Sequence, residues 1–508
     1  MTFNSYIENN INASKFKYFK PTNFEKLVGA FDSMFTDAKE TQDTLVCCVG
    51  DWDVDGVLSM KILTNTLTDM GLEKYDTYFG TSKEHGMTQA FVNECIDKDY
   101  KYVIVTDSST NSIEIINYLD SINVTVIILD HHVCNYNYSD YPERAVIINS
   151  KMKGNEVIRE ISAGLLVYLV TSFYRKTRGQ DIKEEDMWFA YVTLISDSCT
   201  LNDKYIKPLI LGIQNVESVP REINLFTNKY TVLNRRFFTY NFNSKINNMC
   251  RLERIDLIKE LFYGNLDLKR KSEIVEDIEE IHKYCKEGLK SLSTMLDGCV
   301  QDLGSCTLVD LDKALSLTDL PEVYIANATG LLASRVSNDT GKASIAYISW
   351  DKESYKLSGR DNYGLYPFQE MLRTLNLEGG GHIEAVGFKI PKLDLDKLKE
   401  FAKNVDSVLE KEEDKHILKV SNLSENNLKK LFKKVATLNE ISGNGLKPIK
   451  IRIKLDSSML KMKDIGKLRL FEIGEIQIKD LMQSKSYGDV VDIEPEYNKF
   501  LEALVCYF

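Results

Sequence analysis

Residues 44–71, TLVCCVGDWDVDGVLSMKILTNTLTDMG, decide the fold. TLVCCVG is a short apolar run with the composition of a buried strand, DWDVDG is polar and turn-like, and VLSMKILTNTLTDMG resumes with helical spacing. This is one βα unit. The pattern returns in KYVIVTD (101–107) followed by SSTNSIEIINYLDS, and again in VTVIILD (124–130) followed by HHV; RAVIINS (144–150) adds a fourth strand. Short β-branched runs separated by helices predict a parallel sheet covered on both faces.

The chain has 508 residues, enough for roughly three or four domains at ~150 residues each. Hydrophobic residues make up 43% and charged residues 27%, which excludes a disordered or fibrous chain. The net charge of −11 excludes nonspecific attraction to polyanions by whole-protein charge and leaves room for a local basic surface. Ten scattered Cys, without a Cys-x-x-Cys spacing, point to a reducing compartment. The expected location is the cytoplasm, of a bacterium or of a host cell if the chain is virus-encoded. The start MTFNSYIENNINASK lacks a signal-peptide pattern, and apolar runs such as SAGLLVYLV are far short of the ~20 residues of a membrane span.

Beyond the first domain, residues 160–178 read as a helix and 186–197 as an apolar segment ending in LISDS. ERIDLIKELFYG and SEIVEDIEEIHKYCKEGLKSLSTMLDG have helical periodicity and form a connector. VYIANATGLLASRVSN and KASIAYISW open a second α/β unit. The tail carries a basic helix, NNLKKLFKKVATL, then alternating IKIRIKL and KLRLFEIGEIQI, which read as half-exposed strands. The predicted organisation is an N-terminal extension (1–43), a parallel-sheet α/β domain (44–210), a helical connector (211–300), a smaller α/β domain (301–410) and a basic β-rich domain (411–508). The extension either packs on the sheet or binds a partner.

Chemistry concentrates where the strands end. Asp51, Asp53 and Asp55 close the first run, Asp107 the second, Asp130 with His131 and His132 the third, and Asp197 follows LIS. Ligands of open α/β sheets gather outside the carboxyl ends of the strands. Six Asp and two His on one rim would repel strongly unless divalent cations neutralised them, and mixed carboxylate and imidazole ligation suits Mn²⁺, Mg²⁺ or Zn²⁺. With this many ligands two ions sharing a carboxylate are expected. Individual Asp residues in such turns also cap helices, and Asp55 before Gly56 is placed to do so. Capping does not require two adjacent His.

GDWDVDGVLS, VIVTDSS, ILDHHV and LISDS resemble four consecutive motifs of the DHH phosphoesterase superfamily. GDWDVDG is most similar to the RecJ branch of single-strand-specific 5′ to 3′ exonucleases. The resemblance implies Asp53, Asp55 and Asp107 as metal ligands, with Asp107 bridging two cations, Mn²⁺ above all or Mg²⁺. It implies that His131 and Asp197 complete the second ion, that His132 stays near the water or phosphate, and that Asp51, in place of a histidine of other branches, reaches metal directly or through water. Asp130 would orient a neighbouring histidine.

The later unit carries SGR (358–360) and GGGHIEAVGF (379–388), where consecutive glycines expose N–H groups to phosphate and Arg360 offers a planar donor fork. These stretches resemble the DHH-associated domain, with Val386 where a second Ala is usual, and imply substrate contacts from Ser358, Arg360, Gly380, Gly381 and His382, the last also stabilising charge in the reaction. ATGLLASR resembles that domain's opening helix and adds Ser334 and Arg335. KINNMCRLER resembles the stretch before the connecting helix and adds Asn247 and Arg251, with Cys250 in place of a glycine. SGNGLKP resembles the start of an oligonucleotide-binding barrel.

From Gly445 to Lys485 ten Lys or Arg face five Asp or Glu, and Lys450, Arg452 and Lys454 alternate on one strand face. Such a face suits a phosphate backbone as well as ordinary solvation. The expected function is two-metal hydrolysis of single-stranded DNA from the 5′ end to 5′ mononucleotides, in a cleft between the metal domain and the Gly-His domain, with roles in repair, recombination or replication. Single-stranded DNA and a single-strand-binding or replication protein are the expected partners, and a monomer suffices. Two alternatives remain open: a phosphodiesterase of oligoribonucleotides or cyclic dinucleotides, and a noncatalytic replication scaffold.

Overall fold

The structure, a computed structural model, describes residues 22–41, 43–80, 86–152, 161–199, 206, 213, 216, 218–229, 231–361, 366–377, 379–381, 385–405, 417–419, 424–439, 450–455, 461–465, 468–473, 476–480, 485–486, 489–498 and 503–507. Two compact units divide the chain, Met1–Ser244 with Leu261–Asn265 and Asp414–Phe508, and Lys245–Glu260 with Leu266–Glu413. The segment read as a connector thus contributes to both.

In the first unit, α1 (Phe24–Glu40) precedes β1 (Val46–Gly50), α2 (Val54–Asp69), β2 (Asp76–Phe79), α3 (Gln89–Asp97), β3 (Tyr102–Thr106), α4 (Ile113–Ser121), β4 (Thr125–Asp130), β5 (Val146–Asn149), α5 (Ala163–Thr177) and α6 (Asp186–Ser196). The five strands run in order β2-β1-β3-β4-β5, all parallel. β1 and β3 are buried along their whole length because helices cover both faces. On one face Cys47, Val49, Val103, Val105 and Ile128 pack with Phe91 and Val92 of α3 and Ile116 and Leu119 of α4. Cys47 and Cys48 are both free and buried.

Part of the segment read as an extension packs onto this domain. α1 buries Phe24, Leu27, Phe31 and Met34, with edge-on ring contacts of Phe24 to Phe173 (4.6 Å) and Phe31 to Tyr174 (5.0 Å). Two features depart from the sequence reading. β2 is an additional strand at the sheet edge, polar and half-buried. Residues 186–196 form a helix, so Asp197 stands at a helix C-terminus and not at the end of a strand.

In the second unit, α7 (Asn243–Arg251), α8 (Ile255–Tyr263) and α9 (Leu268–Ser293) lead to β6 (Val300–Asp302), β7 (Cys306–Asp310), α10 (Thr329–Thr340), β8 (Ala343–Ser349), β9 (Ser354–Arg360), α11 (Phe368–Thr374), β10 (Gly379–Gly381), β11 (Ala385–Pro391) and α12 (Leu395–Asn404); α7 and α8 straddle the division between units. The sheet order is β10-β11-β9-β8-β7-β6, with β7 and β8 parallel and the other pairs antiparallel. Leu332, Ala333 and Val336 of α10 pack with Ala346 and Ile348 on one face of this sheet, while Leu357, Val386, Phe388 and Ile390 pack with Phe368 and Met371 of α11 on the other.

The C-terminal segment contributes β12 (Ile417–Lys419), α13 (Glu425–Asn439), β13 (Lys450–Lys454), β14 (Lys461–Ile465), β15 (Leu468–Ile473), β16 (Ile476–Asp480), β17 (Val490–Asn498) and β18 (Ala503–Tyr507). Among the described residues its order is β12-β13-β17-β18-β16-β15-β14, with parallel pairs β12·β13 and β16·β18. It is β-rich as expected, with β13 pairing with β17 and β14 with β15. Phe471 is fully buried against Phe432 of α13 and is a core residue. No helix among the described residues is long and apolar enough to cross a membrane.

Candidate metal centre and anion site

The order β2-β1-β3-β4-β5 reverses direction beside β1, and a doubly wound sheet opens a crevice at such a switch point, outside the strand ends. Asp51, Asp53 and Asp55 follow β1, Asp107 follows β3, and Asp130 closes β4 ahead of His131 and His132. Asp53 caps α2, its Oδ1 accepting from Gly56 N at 3.0 Å, so capping and a place at the rim coexist. Asp55, fully buried, accepts from Ala163 N (2.7 Å) and Gly164 N (2.8 Å) at the N-terminus of α5. The positive end of that helix fixes the carboxylate, and each oxygen keeps a further lone pair. Asp107 adopts φ +65°, a left-handed conformation that only short polar residues tolerate readily, and its N–H donates to Leu129 O (3.0 Å).

His131 is the hub. Its Nδ1 lies 2.7 Å from Ile161 O, a group that can only accept, so Nδ1 carries the ring proton and Nε2 presents a lone pair. Around Nε2 stand Asp107 Oδ1 at 3.1 Å, Asp197 Oδ2 at 3.2 Å and Asp55 Oδ2 at 3.7 Å. Asp107 Oδ1 is buried and makes no hydrogen bond among the described residues. Burial lowers the His131 pKa, which keeps the ring neutral and its lone pair available.

Asp130 supplies the scaffold behind the two histidines. It accepts from Thr110 N (3.2 Å), Thr110 Oγ1 (2.5 Å), His131 N (2.7 Å), His132 N (3.1 Å) and His132 Nδ1 (2.8 Å). Burial opposes its ionisation, but the His132 hydrogen bond and the cationic ring outweigh burial and hold this carboxyl well below the ordinary range. Reciprocally, His132 is pushed up to about 9, burial being overcome by the bond to Asp130. Its ring is more than half exposed.

The other carboxylates move the opposite way. Asp55 and Asp107 are raised well above the usual range by burial first and then by neighbouring Asp charges, Asp197 and Asp53 for the former, Asp55, Asp53 and Asp197 for the latter, to which Asp51 adds. Burial also raises Asp197. Two groups of candidate ligands share His131: Asp107, His131 and His132, and Asp55, His131 and Asp197. An unbonded buried oxygen, an imidazole lone pair and crowded carboxylates fit a divalent cation, which removes every one of these penalties at once.

The second unit holds a distinct cationic site. Arg360 donates to Gly359 O (2.8 Å) and Val386 O (3.3 Å), and a Cβ on Gly330 would fall on its Nη2 and lie 2.8 Å from its Cζ. Gly330 therefore gives the guanidinium its seat on α10. Burial and the nearby Arg251 lower the Arg360 pKa, so two cations share this region of the second unit. Arg251 is positioned by Asn248, whose Oδ1 accepts from Tyr324 OH (2.9 Å) and lies 3.5 Å from Arg251 Nη1.

Of the other residues expected to touch substrate, Ser358 is buried and shares a hydrogen bond with Thr329 (2.8 Å), Gly380 is exposed on β10, Gly381 is on the same strand, and Asn247 and Ser334 are half-buried on α7 and α10. Arg335 donates to Leu289 O (2.8 Å) and Ser293 Oγ (3.0 Å) of α9, which ties α10 to that helix. His382 lies outside the described residues. Asn149, Thr110, Asn248 and Gly330 escaped the sequence reading. Asn149 alone carried a signal, since it ends a strand; its Nδ2 donates to Thr110 Oγ1 (3.1 Å) and His132 O (2.9 Å).

The basic face of the C-terminal strands is partly neutralised. Arg452 pairs with Asp492 across β13 and β17 (2.7 and 2.8 Å), Lys463 with Glu472 (3.2 Å) and Arg469 with Asp464 (2.9 Å). Lys450 is half-buried and Lys454 exposed on the same strand as Arg452.

Residues 45–195 match the DHH family, N-terminal domain. A comparison with curated proteins finds no sequence match. Among solved structures, RecJ of Thermus thermophilus in complex with Mn²⁺ is similar at TM-score 0.72 and 14% identity, over 97% of this chain and 72% of that one. The Mg²⁺ complex gives 0.65 at 15% identity over 97% and 70%. An exonuclease RecJ bound to manganese gives 0.60 at 16% identity over 77% and 97%. At these identities the likeness is one of fold.

Proposed function

We propose that this chain, which carries a DHH-family domain at residues 45–195 within a RecJ-like fold, is a divalent-metal-dependent phosphodiesterase that releases 5′ mononucleotides from the 5′ end of single-stranded DNA. The observation that carries the reading is the lone pair of His131 Nε2 directed at Asp107, Asp197 and Asp55, beside an Asp107 oxygen with no hydrogen bond among the described residues. Asp55, Asp107, His131 and Asp197, with Asp53 and Asp51 on the same rim, would hold two cations, Mn²⁺ or Mg²⁺. When bound, such ions supply Lewis acidity that polarises a phosphoryl oxygen and acidifies water.

The chain's own groups then divide the remaining work. Ile161 O holds the His131 proton on Nδ1 and so keeps Nε2 directed at the carboxylates. His132, cationic through its bond to Asp130, presents a charged ring to a phosphate oxygen. Arg360, seated on Gly330, and Arg251, held by Asn248, bind phosphate in the second unit. No covalent nucleophile is needed. Such trimming of single strands suits DNA repair, recombination or replication, with a single-strand-binding protein as partner.

The test is an assay in Mn²⁺ with single-stranded and duplex DNA labelled separately at each end. The reading expects mononucleotides from the 5′ label of the single strand first, and loss of activity in Asp107→Ala. Cleavage of a cyclic dinucleotide without DNA degradation would overturn it.

A further inference from the structure

Lys356, Ser358 and Arg360 alternate along β9 and therefore share one face of the sheet. Their antiparallel partners on β11 are Lys389, Gly387 and Ala385, and Gly380 of β10 lies beside Gly387. The face that carries Arg360 thus continues in two-residue steps of about 6.8 Å, comparable with one step of an extended nucleotide chain, to a pair of lysines. It ends at Trp350, whose N–H donates to Ser354 O (3.0 Å).

The ammonium groups of Lys356 and Lys389 stand over the same indole, 5.0 and 4.7 Å from the Trp350 ring. Lys389 is exposed, and Lys356 and Trp350 are half-buried. Among the described residues neither lysine forms an ion pair; Lys356 Nζ reaches Asn327 Oδ1 at 3.4 Å. The nearby carboxylate of Asp351 is engaged by Ser354 Oγ (2.6 Å), Ser354 N (2.7 Å) and Glu353 N (2.8 Å). Burial and the charge of Lys389 lower the Lys356 pKa. Two like charges stand over one indole here, offset by the Asn327 oxygen beside Lys356 and by the Asp351 charge near Lys389, and a phosphate bound between them relieves their repulsion. Drawing both lysines onto a phosphate would also free the ring face for a base.

We propose that Trp350, Lys356 and Lys389 form a second nucleotide subsite, next along the sheet from Arg360, in which the lysines bind a backbone phosphate and the indole stacks a base of single-stranded nucleic acid. The subsite rests on the nuclease reading above. It explains why side chains from β9, β11 and the residue after β8 converge one step beyond the glycine motif. Base stacking on an aromatic ring is sequence-tolerant, so the subsite grips length rather than sequence.

The test uses the full chain in Mn²⁺ and compares kcat/KM for a single-stranded hexanucleotide and a dinucleotide. Wild type prefers the hexamer. Trp350→Leu lowers the hexamer-to-dimer ratio about ten-fold, whereas Trp350→Phe, which keeps a stacking face, retains most of it and guards against loss of folding in the Leu variant. Lys356→Ala with Lys389→Ala lowers the salt slope of hexamer binding by about 0.7, the value for one phosphate contact of a single strand. An unchanged ratio and salt slope in variants of a chain that degrades DNA would refute the subsite and leave the nuclease reading standing. Hydrolysis of neither oligonucleotide by wild type would reject that reading and the subsite with it.

Discussion

Asp107 Oδ1 lies 3.1 Å from His131 Nε2, whose lone pair faces it because the ring proton sits on Nδ1 against Ile161 O. An ionised Asp107 at that distance repels the lone pair, in keeping with its raised pKa. The chain sustains the arrangement through remote anchors: Gly164 and Ala163 N–H groups on Asp55, five donors on Asp130, and the left-handed backbone of Asp107. Strain gathered at one point and supported from several elements is the mark of a site shaped for something other than stability.

Replacing Asp107 by Asn removes one charge from this cluster. Metal-free Asp107→Asn is therefore expected to melt at a higher temperature than wild type, since burial and the neighbouring Asp groups already disfavour that charge. Mn²⁺ should reverse the order. A ligand at a hundred times its Kd stabilises by about 2.7 kcal/mol, and the variant should lose most of that gain and at least about a hundred-fold in activity. Melting curves with Mn²⁺ and with chelator check this, and equal Mn²⁺ shifts in both proteins would exclude Asp107 as a ligand.

The His132 and Asp130 pair predicts a pH dependence of the metal-free protein. The folded pKa of His132, about 9, exceeds the ordinary 6.5, so its stabilising contribution is full below 6.5 and is lost as pH rises through 9. Asp130 is shifted down, so its contribution is present above the ordinary carboxylate range and is lost only in stronger acid. Asp130→Asn should return His132 toward 6.5, flatten the decline in melting temperature between pH 6.5 and 9, and cost about 1–3 kcal/mol at neutral pH. An NMR titration of the His132 ring reads the shift directly; a value near 9 in the variant would break the argument.

Much of this was legible from strand ends, and the exceptions have physical causes. TLVCCVG, KYVIVTD, VTVIILD and RAVIINS are apolar on both faces, as strands of a covered parallel sheet are, so their terminal Asp and His residues could be placed on one rim. DTYF at β2 is a four-residue edge strand, too short and too mixed in polarity for a periodicity to mark it. The apolar segment that ends in LIS folds as α6, which puts Asp197 at a helix terminus. The anchoring of Asp55 by α5 joins residues more than a hundred positions apart, beyond the reach of local pattern. Arg335 occupies a motif position, but its nearest acceptors belong to α9.

Gly330→Ala separates anion binding from folding. The added methyl strikes the end of a flexible side chain, Arg360, so the fold has room to yield while the guanidinium leaves its seat. Gly330 is the second residue of α10, where alanine's advantage over glycine is smaller than in a helix interior, so the melting temperature should change little. KM for single-stranded DNA should increase about ten-fold with kcat less affected. An unaltered KM would mean that Arg360 does not contact substrate from this position.

Anomalous X-ray scattering from crystals grown with Mn²⁺ tests the central claim most directly. The account predicts manganese peaks within coordination distance of His131 Nε2, Asp107 Oδ1 and the Asp55 and Asp197 carboxylates. A manganese-free cluster at saturating Mn²⁺, with the His131 lone pair and Asp107 Oδ1 still facing each other, would contradict it.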